Sequence, residues 1–467
     1  MLFSYRTGSL LLVCALLSGM LFSQETPKSG EKAPEKGFHL SDTALLNISF
    51  SLAPEFETNI NKVSDRSGQT DNITGASQNA TEVMDLVIHL SPGLRAKIDD
   101  KFKTLGMAFL INYNLYTGID DKKTFENLTT LSSLHFDTDI LGEFNKDGNV
   151  MFRVSNNLKR NSNPDTLTIE NGLHTNLIED VNLALFIKNS EDTLSLKIST
   201  GIQLNYFEEN LLGDYNFWSS RNTVYGQWKF LPKTAAFFNA SFIYQDYFNA
   251  DSALRDDQRS MPLSIFVGAL GQLTPKISLK LSGGYTNSLS KDMHHDGLAG
   301  VEFIFKNSEN TLFNLGYLRT MFPMATYQYY TLDKVYAGFT QKFFKRLLFK
   351  IDASYSHLAY GRNVKYPALV NVETVRDANT GAVRTTTVRQ RSIDREDHLI
   401  RVEPMVSYNF LQWLGLSLKY TFETKQTPFY AATNLALTGV VPPSNITYTT
   451  YYDYMDHRIL LTLAADY

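Results

Sequence analysis

The most constraining feature of the sequence is an alternation of apolar and polar residues that recurs from about residue 43 to the carboxyl terminus. Between Trp413 and Glu423 every second residue is a large apolar one, and the residues between them are small, polar or charged; the apolar set is Leu414, Leu416, Leu418, Tyr420 and Phe422. A period of two predicts β-strands with one apolar and one polar face. Similar segments along the chain predict roughly eighteen long strands.

Composition excludes two classes of protein. The chain has 467 residues, a mean hydropathy of -0.21 and 13% aromatic residues, mainly Phe and Tyr. A helical membrane protein needs runs of about 20 apolar residues for each span, which this mean hydropathy does not allow. The aromatic content favours β structure. The net charge of -4 argues against nucleic-acid binding, which requires a basic domain.

The amino-terminal residues have the layout of a secretory signal peptide. Arg6 precedes a short apolar core, Leu10 to Phe22, which ends at small and polar residues. A lipoprotein signal at Cys14 is the alternative, although apolar sequence continues after that cysteine. The next segment is rich in Pro, Lys, Glu and Gly, which predicts a flexible linker. The predicted regions are therefore a signal peptide, a periplasmic linker and a barrel domain, at 1–23, 24–42 and 43–467.

The connections between the predicted strands alternate in length. Short turns such as Asn145–Gly148 and Pro232–Lys233 alternate with long polar stretches such as 323–330 and 359–395. This asymmetry is typical of an outer-membrane barrel with short periplasmic turns and long extracellular loops. The predicted fold class is therefore all-β, a transmembrane antiparallel up-and-down β-barrel of about 18 strands. A soluble protein of repeated hairpins is the alternative, although its strands are usually shorter.

The last predicted strand carries an apolar stripe that ends in an aromatic residue. The stripe resembles the signal that outer-membrane proteins present to their barrel-assembly machinery, and its residues are Leu461, Leu463, Ala465 and Tyr467. Together with Leu90–Leu94, Tyr206 and Arg395–His398, it makes the mature region similar to the β-barrel porin families of Gram-negative outer membranes, which include uncharacterised outer-membrane β-barrel proteins.

This resemblance implies a place and a set of partners. The place is the outer membrane of a Gram-negative, diderm bacterium. The partners are outer-membrane lipid and lipopolysaccharide, the barrel-assembly machinery and small hydrophilic solutes, with a homo-oligomer left open.

The polar faces of the predicted strands carry charges that would line the interior. Bases lie soon after short turns, and acids lie on neighbouring strands; the predicted pore-lining residues are Arg153, Lys197, Lys280, Lys350, Lys419, Asp137, Asp139, Glu143, Glu302 and Glu403. Fixed charges of this kind set the ion preference of a water-filled pore. Alternatively, the charges pair on adjacent strands and only keep the interior hydrated.

The loop at 359–395 is rich in arginine. It contains an apparent hairpin from Asn371 to Arg391. The candidates for a constriction over the barrel mouth are Arg376, Arg384, Arg389 and Arg391. A solvated surface hairpin is the alternative, since long loops do not always carry function.

Patterns for catalysis and metal binding are weak. His294 and His295 are adjacent and would point apart on an extended chain, so a solvated turn is favoured over a metal site. The alternation assigns four histidines to the inward face, but none has a recognisable serine motif beside it; they are His89, His135, His174 and His398. The sequence therefore predicts no enzyme, no metal and no cofactor.

The width of the predicted barrel indicates the function. An eighteen-stranded barrel is wide enough to leave an aqueous channel. The expected function is therefore a porin-like channel for passive diffusion of small hydrophilic solutes. Two alternatives stay open: an outer-membrane conduit for exported polysaccharide, and a plugged structural or adhesive barrel.

Overall fold

The computed structural model describes most of the chain beyond its amino-terminal segment. The described residues are 37–59, 68–71, 77–79, 84–117, 134–163, 174–208, 213, 215–248, 255–256, 258–290, 293–324, 328–344, 346–361, 372–376, 383–387, 395–427, 430–436, 445–451 and 453–466. Within these ranges, no helix has the length and apolar character needed to cross a membrane.

Eighteen long antiparallel strands form one closed sheet. In chain order they are β1 (Ala44–Glu57), β2 (Asp85–Asp99), β3 (Lys103–Tyr116), β4 (Leu134–Phe144), β5 (Val150–Asn163), β6 (His174–Lys188), β7 (Leu194–Phe207), β8 (Phe217–Leu231), β9 (Thr234–Tyr247), β10 (Leu263–Thr274), β11 (Ile277–Asn287), β12 (His295–Ser308), β13 (Thr311–Met324), β14 (Gln328–Phe343), β15 (Leu347–Tyr360), β16 (Glu396–Asn409), β17 (Leu414–Gln426) and β18 (Tyr454–Asp466).

The sheet closes because its first and last strands pair with each other. Each strand pairs with its neighbour in sequence, and β1 pairs with β18 from Ser49 opposite Asp466 to Glu57 opposite Arg458. Closure removes the unpaired edges that an open sheet of this size would expose. The predicted all-β, eighteen-stranded up-and-down barrel is confirmed.

The alternation in each strand decides which side faces outward. Along β1, the even-numbered residues Ile48, Phe50 and Leu52 are exposed. The odd-numbered residues Ser51 and Glu55 are buried. The apolar side chains therefore cover the outside of the barrel and the polar ones lie inside. The strands have 11 to 16 residues, enough for a tilted strand to cross an apolar band about 25 Å tall.

One end of the barrel has only short turns. These turns are 100–102, 145–149, 189–193, 232–233, 275–276, 309–310, 344–346 and 410–413. Asn145 and Asp192 adopt left-handed φ angles of 56° and 53° in two of them, a conformation that Asn and Asp tolerate better than most residues. The trimmed end predicted from the sequence is thus present.

The opposite end carries the longer connections, some with strands of their own. The predicted hairpin in the arginine-rich loop is present, with Val372–Arg376 paired to Val383–Thr387. A separate four-stranded sheet is formed by Gly68–Asp71, Ser77–Asn79, Tyr430–Ala436 and Asn445–Tyr451. The loop predicted at 323–330 is shorter than expected, because β13 and β14 stay paired as far as Met324 and Gln328.

The structure describes part of the predicted linker and most of the carboxyl-terminal stripe. Phe38 and His39 form a short extra strand against Leu46 and Leu45, so the last residues of the predicted linker are paired. The predicted signal peptide and the linker up to residue 36 lie outside the described residues. In the carboxyl-terminal stripe, Leu461 and Leu463 are exposed on the outer surface, and Ala465 pairs with Phe50. Tyr467 lies outside the described residues.

Candidate functional site in the barrel interior

The inward faces of β16, β17 and β18 carry a network of paired charges. Glu403 Oε1 lies 2.9 Å from Arg401 Nη2 and 2.5 Å from Lys419 Nζ. Glu423 Oε2 lies 3.4 Å from Arg401 Nη1 and 3.7 Å from Arg458 Nη2. Acids and bases thus alternate along the wall, and each charge is balanced by neighbours on the adjacent strand.

Arg458 connects this network to β1. Its Nε atom lies 3.0 Å from Asp456 Oδ2 and 3.9 Å from Glu57 Oε1. The Arg458 side chain is only 9% exposed, and those of Asp456 and Glu57 are buried more deeply. Charges removed from water in this way are stable only when they are paired. Arg458 therefore holds several buried carboxylates at the seam where the barrel closes.

A chain of hydrogen-bonding side chains continues the polar wall across β1 to β4. His89 Nε2 lies 2.7 Å from Glu55 Oε2, and His89 Nδ1 lies 2.7 Å from Asn114 Oδ1. Asn114 Nδ2 lies 3.1 Å from His135 Nδ1. His89 and His135 face inward, as the alternation predicted, and this chain holds them within the wall.

Further acids and bases line the interior between β4 and β8. Asp137 and Asp139 both accept hydrogen bonds from Asn157 Nδ2, at 2.7 and 2.6 Å. Glu143 Oε1 lies 2.5 Å from Arg153 Nη2. These contacts correspond to the cross-strand pairing that was the alternative interpretation of the predicted pore charges.

Aromatic rings accompany the bases on the same part of the wall. The Phe186 ring centroid lies 5.0 Å from Arg153 Cζ and 5.4 Å from Lys197 Nζ. Lys280 Nζ lies 5.6 Å from the centroid of Phe237. Cations gain electrostatic attraction over aromatic faces at such distances. The interior between β5 and β11 therefore combines positive charge with aromatic surface.

The remaining predicted pore residues also lie on the polar face. Glu302 is directly opposite Lys280 in the pairing of β11 with β12, and Lys350 Nζ lies 2.7 Å from Asp352 Oδ2. Of the loop arginines, Arg376 and Arg384 lie on the two strands of the loop hairpin, and Arg389 and Arg391 lie outside the described residues. The roles of all these residues in conduction and constriction stay predictions.

Two apolar clusters lie inside the barrel at the end with the long connections. The first cluster consists of Phe207, Tyr215, Phe217 and Tyr247. The second consists of Met324, Tyr330, Leu332, Leu358 and Tyr360. Tyr215, in the described part of the connection between β7 and β8, packs against the other members of the first cluster. Both clusters therefore place apolar side chains inside the mouth of the barrel.

A buried ion pair anchors the arginine-rich loop where it returns to the barrel. Arg395 Nη2 lies 2.7 Å from Asp397 Oδ2, and both side chains are fully buried. The Tyr360 hydroxyl donates a hydrogen bond of 2.9 Å to Asp397 Oδ2, and Lys425 Nζ lies 3.8 Å from the same oxygen. The sequence places Arg395 at the end of the arginine-rich loop and assigns it no partner. It missed this anchor because Asp397 and Lys425 are far apart in sequence.

A second charged contact lies in a connection outside the strands. Arg255 Nε donates a hydrogen bond of 2.9 Å to Asp246 at the end of β9, and Arg259 Nε lies 3.4 Å from the same carboxylate oxygen. The hydrogen bond to the Asp246 carboxylate raises the pKa of the Arg255 guanidinium. Arg255 and Arg259 thus hold the described part of this connection against the end of β9.

The prediction that His398 faces inward is wrong. His398 lies directly opposite His357 on the outer face, together with the exposed Tyr355 and Ile400. The error arises because Leu399 and Ile400 are consecutive apolar residues, which interrupt the alternation. Leu399 packs inside against the second apolar cluster, so its neighbours on both sides face outward.

No protein-family model and no curated protein sequence matches the chain. Among solved structures, it is similar to OpdO of Pseudomonas aeruginosa, with 10% identity over 90% of this chain and 97% of that chain at a TM-score of 0.43. It is also similar to the structure of OpdK with vanillate from the same organism, with 7% identity over 90% of this chain and 99% of that chain at a TM-score of 0.45. A third similar structure is the FrpB iron transporter of Neisseria meningitidis, with 8% identity over 90% of this chain and 81% of that chain at a TM-score of 0.44.

Proposed function

We propose that the protein is a porin-like channel for passive diffusion of small hydrophilic solutes across the outer membrane of a Gram-negative bacterium. The observation that supports this most directly is the closed barrel of eighteen strands with an apolar outside and a charged inside. Only a closed sheet satisfies its backbone hydrogen bonds within a bilayer without helices. A polar interior in such a barrel accommodates water and hydrophilic solutes.

Aromatic residues at both ends of the outer surface support the membrane location. Trp228, Phe343 and Tyr408 are exposed near the short turns, and Tyr206 and Tyr285 are exposed toward the long connections. Aromatic rings at these two levels form the girdles found at the membrane interfaces of outer-membrane barrels. The apolar band between them is suited to contact with lipid and lipopolysaccharide.

The exposure of the interior charges indicates which part of the wall solutes would follow. The side chains of Arg153 and Lys350 are 38% and 36% exposed, whereas Arg458 is 9% exposed. Water therefore reaches Arg153 and Lys350 more readily than Arg458 at the seam. Because Lys197 and Lys280 add positive charge to the interior wall between β7 and β11, we expect the channel to favour anions modestly.

Planar-bilayer recording of the purified, refolded protein tests the proposal. Discrete conductance steps and a reversal potential that indicates weak anion preference under a salt gradient are expected. Substituting Lys197→Gln and Lys280→Gln should move the reversal potential toward cation preference. Lys229→Gln is the control for the position of the charge on the wall: it removes the same charge from a lysine that lies beside a short turn, 2.8 Å from Asp192. A folded wild-type protein that conducts no ions would contradict the channel.

A plugged structural or adhesive barrel is the second candidate. It is supported by the two apolar clusters inside the mouth and by the fully buried Arg395 and Asp397. This candidate predicts a folded protein without conductance that becomes conductive when the connection between β7 and β8 is shortened. A polysaccharide conduit is distinguished from both by a requirement for a periplasmic export partner.

The carboxyl-terminal stripe supports a proposal about assembly. Leu461 and Leu463 are available on the outer face of the strand that closes the barrel. We propose that this strand is presented to the barrel-assembly machinery. Replacing Leu461 and Leu463 by Ser should slow insertion in cells more than it slows unassisted refolding in detergent.

A further inference from the structure

Three side chains that commonly bind metal ions meet on the outer surface of the barrel, at the end with the long connections. His357 on β15 lies directly opposite His398 on β16, and Glu396 is two residues before His398. One potential ligand atom from each of the three lies within 4.8 Å of the other two. The group faces outward beside the exposed Tyr355 and Ile400, within three residues of the strand ends that carry the longest connection.

Each imidazole has a neighbouring group beside its Nδ1 atom. The Tyr355 hydroxyl lies 2.7 Å from Nδ1 of His398. Asp333 Oδ2 lies 3.9 Å from Nδ1 of His357. On the other side of the His357 ring, Nε2 lies 3.4 Å from Glu396 Oε2. Histidines that bind metals are usually oriented by such a contact to the nitrogen that does not bind the metal. Both rings are therefore positioned to offer Nε2.

The charges around the group favour a cation. Carboxylates are supplied by Glu396, Asp333 and Asp296. Arg319 lies among them, with Nη2 2.6 Å from Asp296 Oδ2 and Nη1 3.0 Å from Asp333 Oδ2. Three carboxylates against one guanidinium leave an excess of negative charge when the histidines are neutral. Neutral imidazole is also the form of histidine that binds metal.

We propose that His357, His398 and Glu396 bind a divalent first-row transition metal ion, with zinc as the first choice. Two imidazoles and one carboxylate suit zinc and its neighbours, and a water molecule would complete a tetrahedral site. Calcium and magnesium prefer oxygen ligands, so they bind here weakly. The ligands lie at both ends of the connection 361–395, so the metal joins the two ends of the arginine-rich loop.

Isothermal titration of the untagged, refolded protein with zinc chloride in detergent tests the site. We expect one zinc ion per barrel at this site, with affinity weakened at least about 10-fold by His357→Ala and by His398→Ala. Tyr355→Phe should weaken it about 10-fold, because loss of a contact that orients a ligand typically costs 10–100-fold in metal affinity. Titration with cobalt(II) should give a visible absorption band that His357→Ala abolishes.

The barrel contains a matched control for the histidine substitutions. His457 Nδ1 lies 2.7 Å from the Tyr420 hydroxyl, the same contact that Tyr355 makes with His398. Among the described residues, His457 belongs to no group of three metal-binding side chains. His457→Ala should therefore leave zinc affinity unchanged. Equal affinity in the wild type and in His357→Ala, or an equal loss in His457→Ala, would overturn the proposal, provided that all variants show the gel mobility of a folded barrel.

Discussion

Replacement of Arg458 by methionine is expected to destabilise the barrel by about 3–5 kcal/mol. The Arg458 side chain is 9% exposed and lies within 3.0 to 3.9 Å of Asp456, Glu423 and Glu57. Methionine keeps the length of the side chain but removes the cation. Removing one partner of a buried ion pair costs about 3–5 kcal/mol, because the remaining charges stay buried without compensation.

A matched substitution in the same barrel should cost much less. Arg153 pairs with Glu143 on the interior wall, but its side chain is 38% exposed. Water screens that pair, and exposed pairs contribute roughly 0–1 kcal/mol. Arg153→Met should therefore lower the free energy of unfolding by less than about 1 kcal/mol.

Equilibrium unfolding in detergent micelles measures both effects. The three tryptophans of the chain report unfolding by fluorescence, and the midpoint shift gives the change in free energy when the slope is unchanged. In the double variant Arg458→Met with Glu423→Gln, part of the loss should be recovered, since contacting residues couple by about 0.5–3 kcal/mol. Equal losses for Arg458→Met and Arg153→Met would refute the reasoning from burial.

Three further changes have distinct expected outcomes. Gly284→Ala should destabilise the barrel, because a Cβ atom there would meet the carbonyl oxygen of Ile265. Gly297→Ala should be almost neutral, because no atom lies within 4 Å of a Cβ at that position. Unfolding titrations compare the two variants. Tyr247→Ala should cost about 3–5 kcal/mol in the same titration, since Tyr247 is fully buried in the mouth. Deleting 371–391 should raise single-channel conductance if the loop hairpin constricts the mouth, and unchanged conductance would exclude that role.

Much of the fold follows from local periodicity in the sequence. Side chains alternate between the two faces of a strand, so a run such as Leu414 to Phe422 fixes which residues share a face. The alternation of short and long connections fixes which end is trimmed. These two features predicted the eighteen strands, the closed antiparallel order and the inward position of residues such as Lys280 and Glu403. None of these expectations required knowledge of contacts between distant residues.

The partners of the inward charges were decided by the tertiary structure. Arg458 meets Glu57 only because the first and last strands pair, and Asp397 meets Lys425 only through the register of β16 with β17. The sequence places these residues on a face but does not state which residue lies opposite. It therefore left open whether the charges line a wet pore or pair with each other.

The proposed metal-binding group on the outer surface is the clearest case in which the sequence does not state which residues lie opposite each other. His357 and His398 are separated in sequence by the longest loop, and the sequence predicted no metal site. Two consecutive apolar residues, Leu399 and Ile400, obscured the face of His398. Periodicity determines the faces of each strand because it is a local property of the backbone. Register across the sheet determines which side chains meet, because it depends on how all eighteen strands close into one barrel.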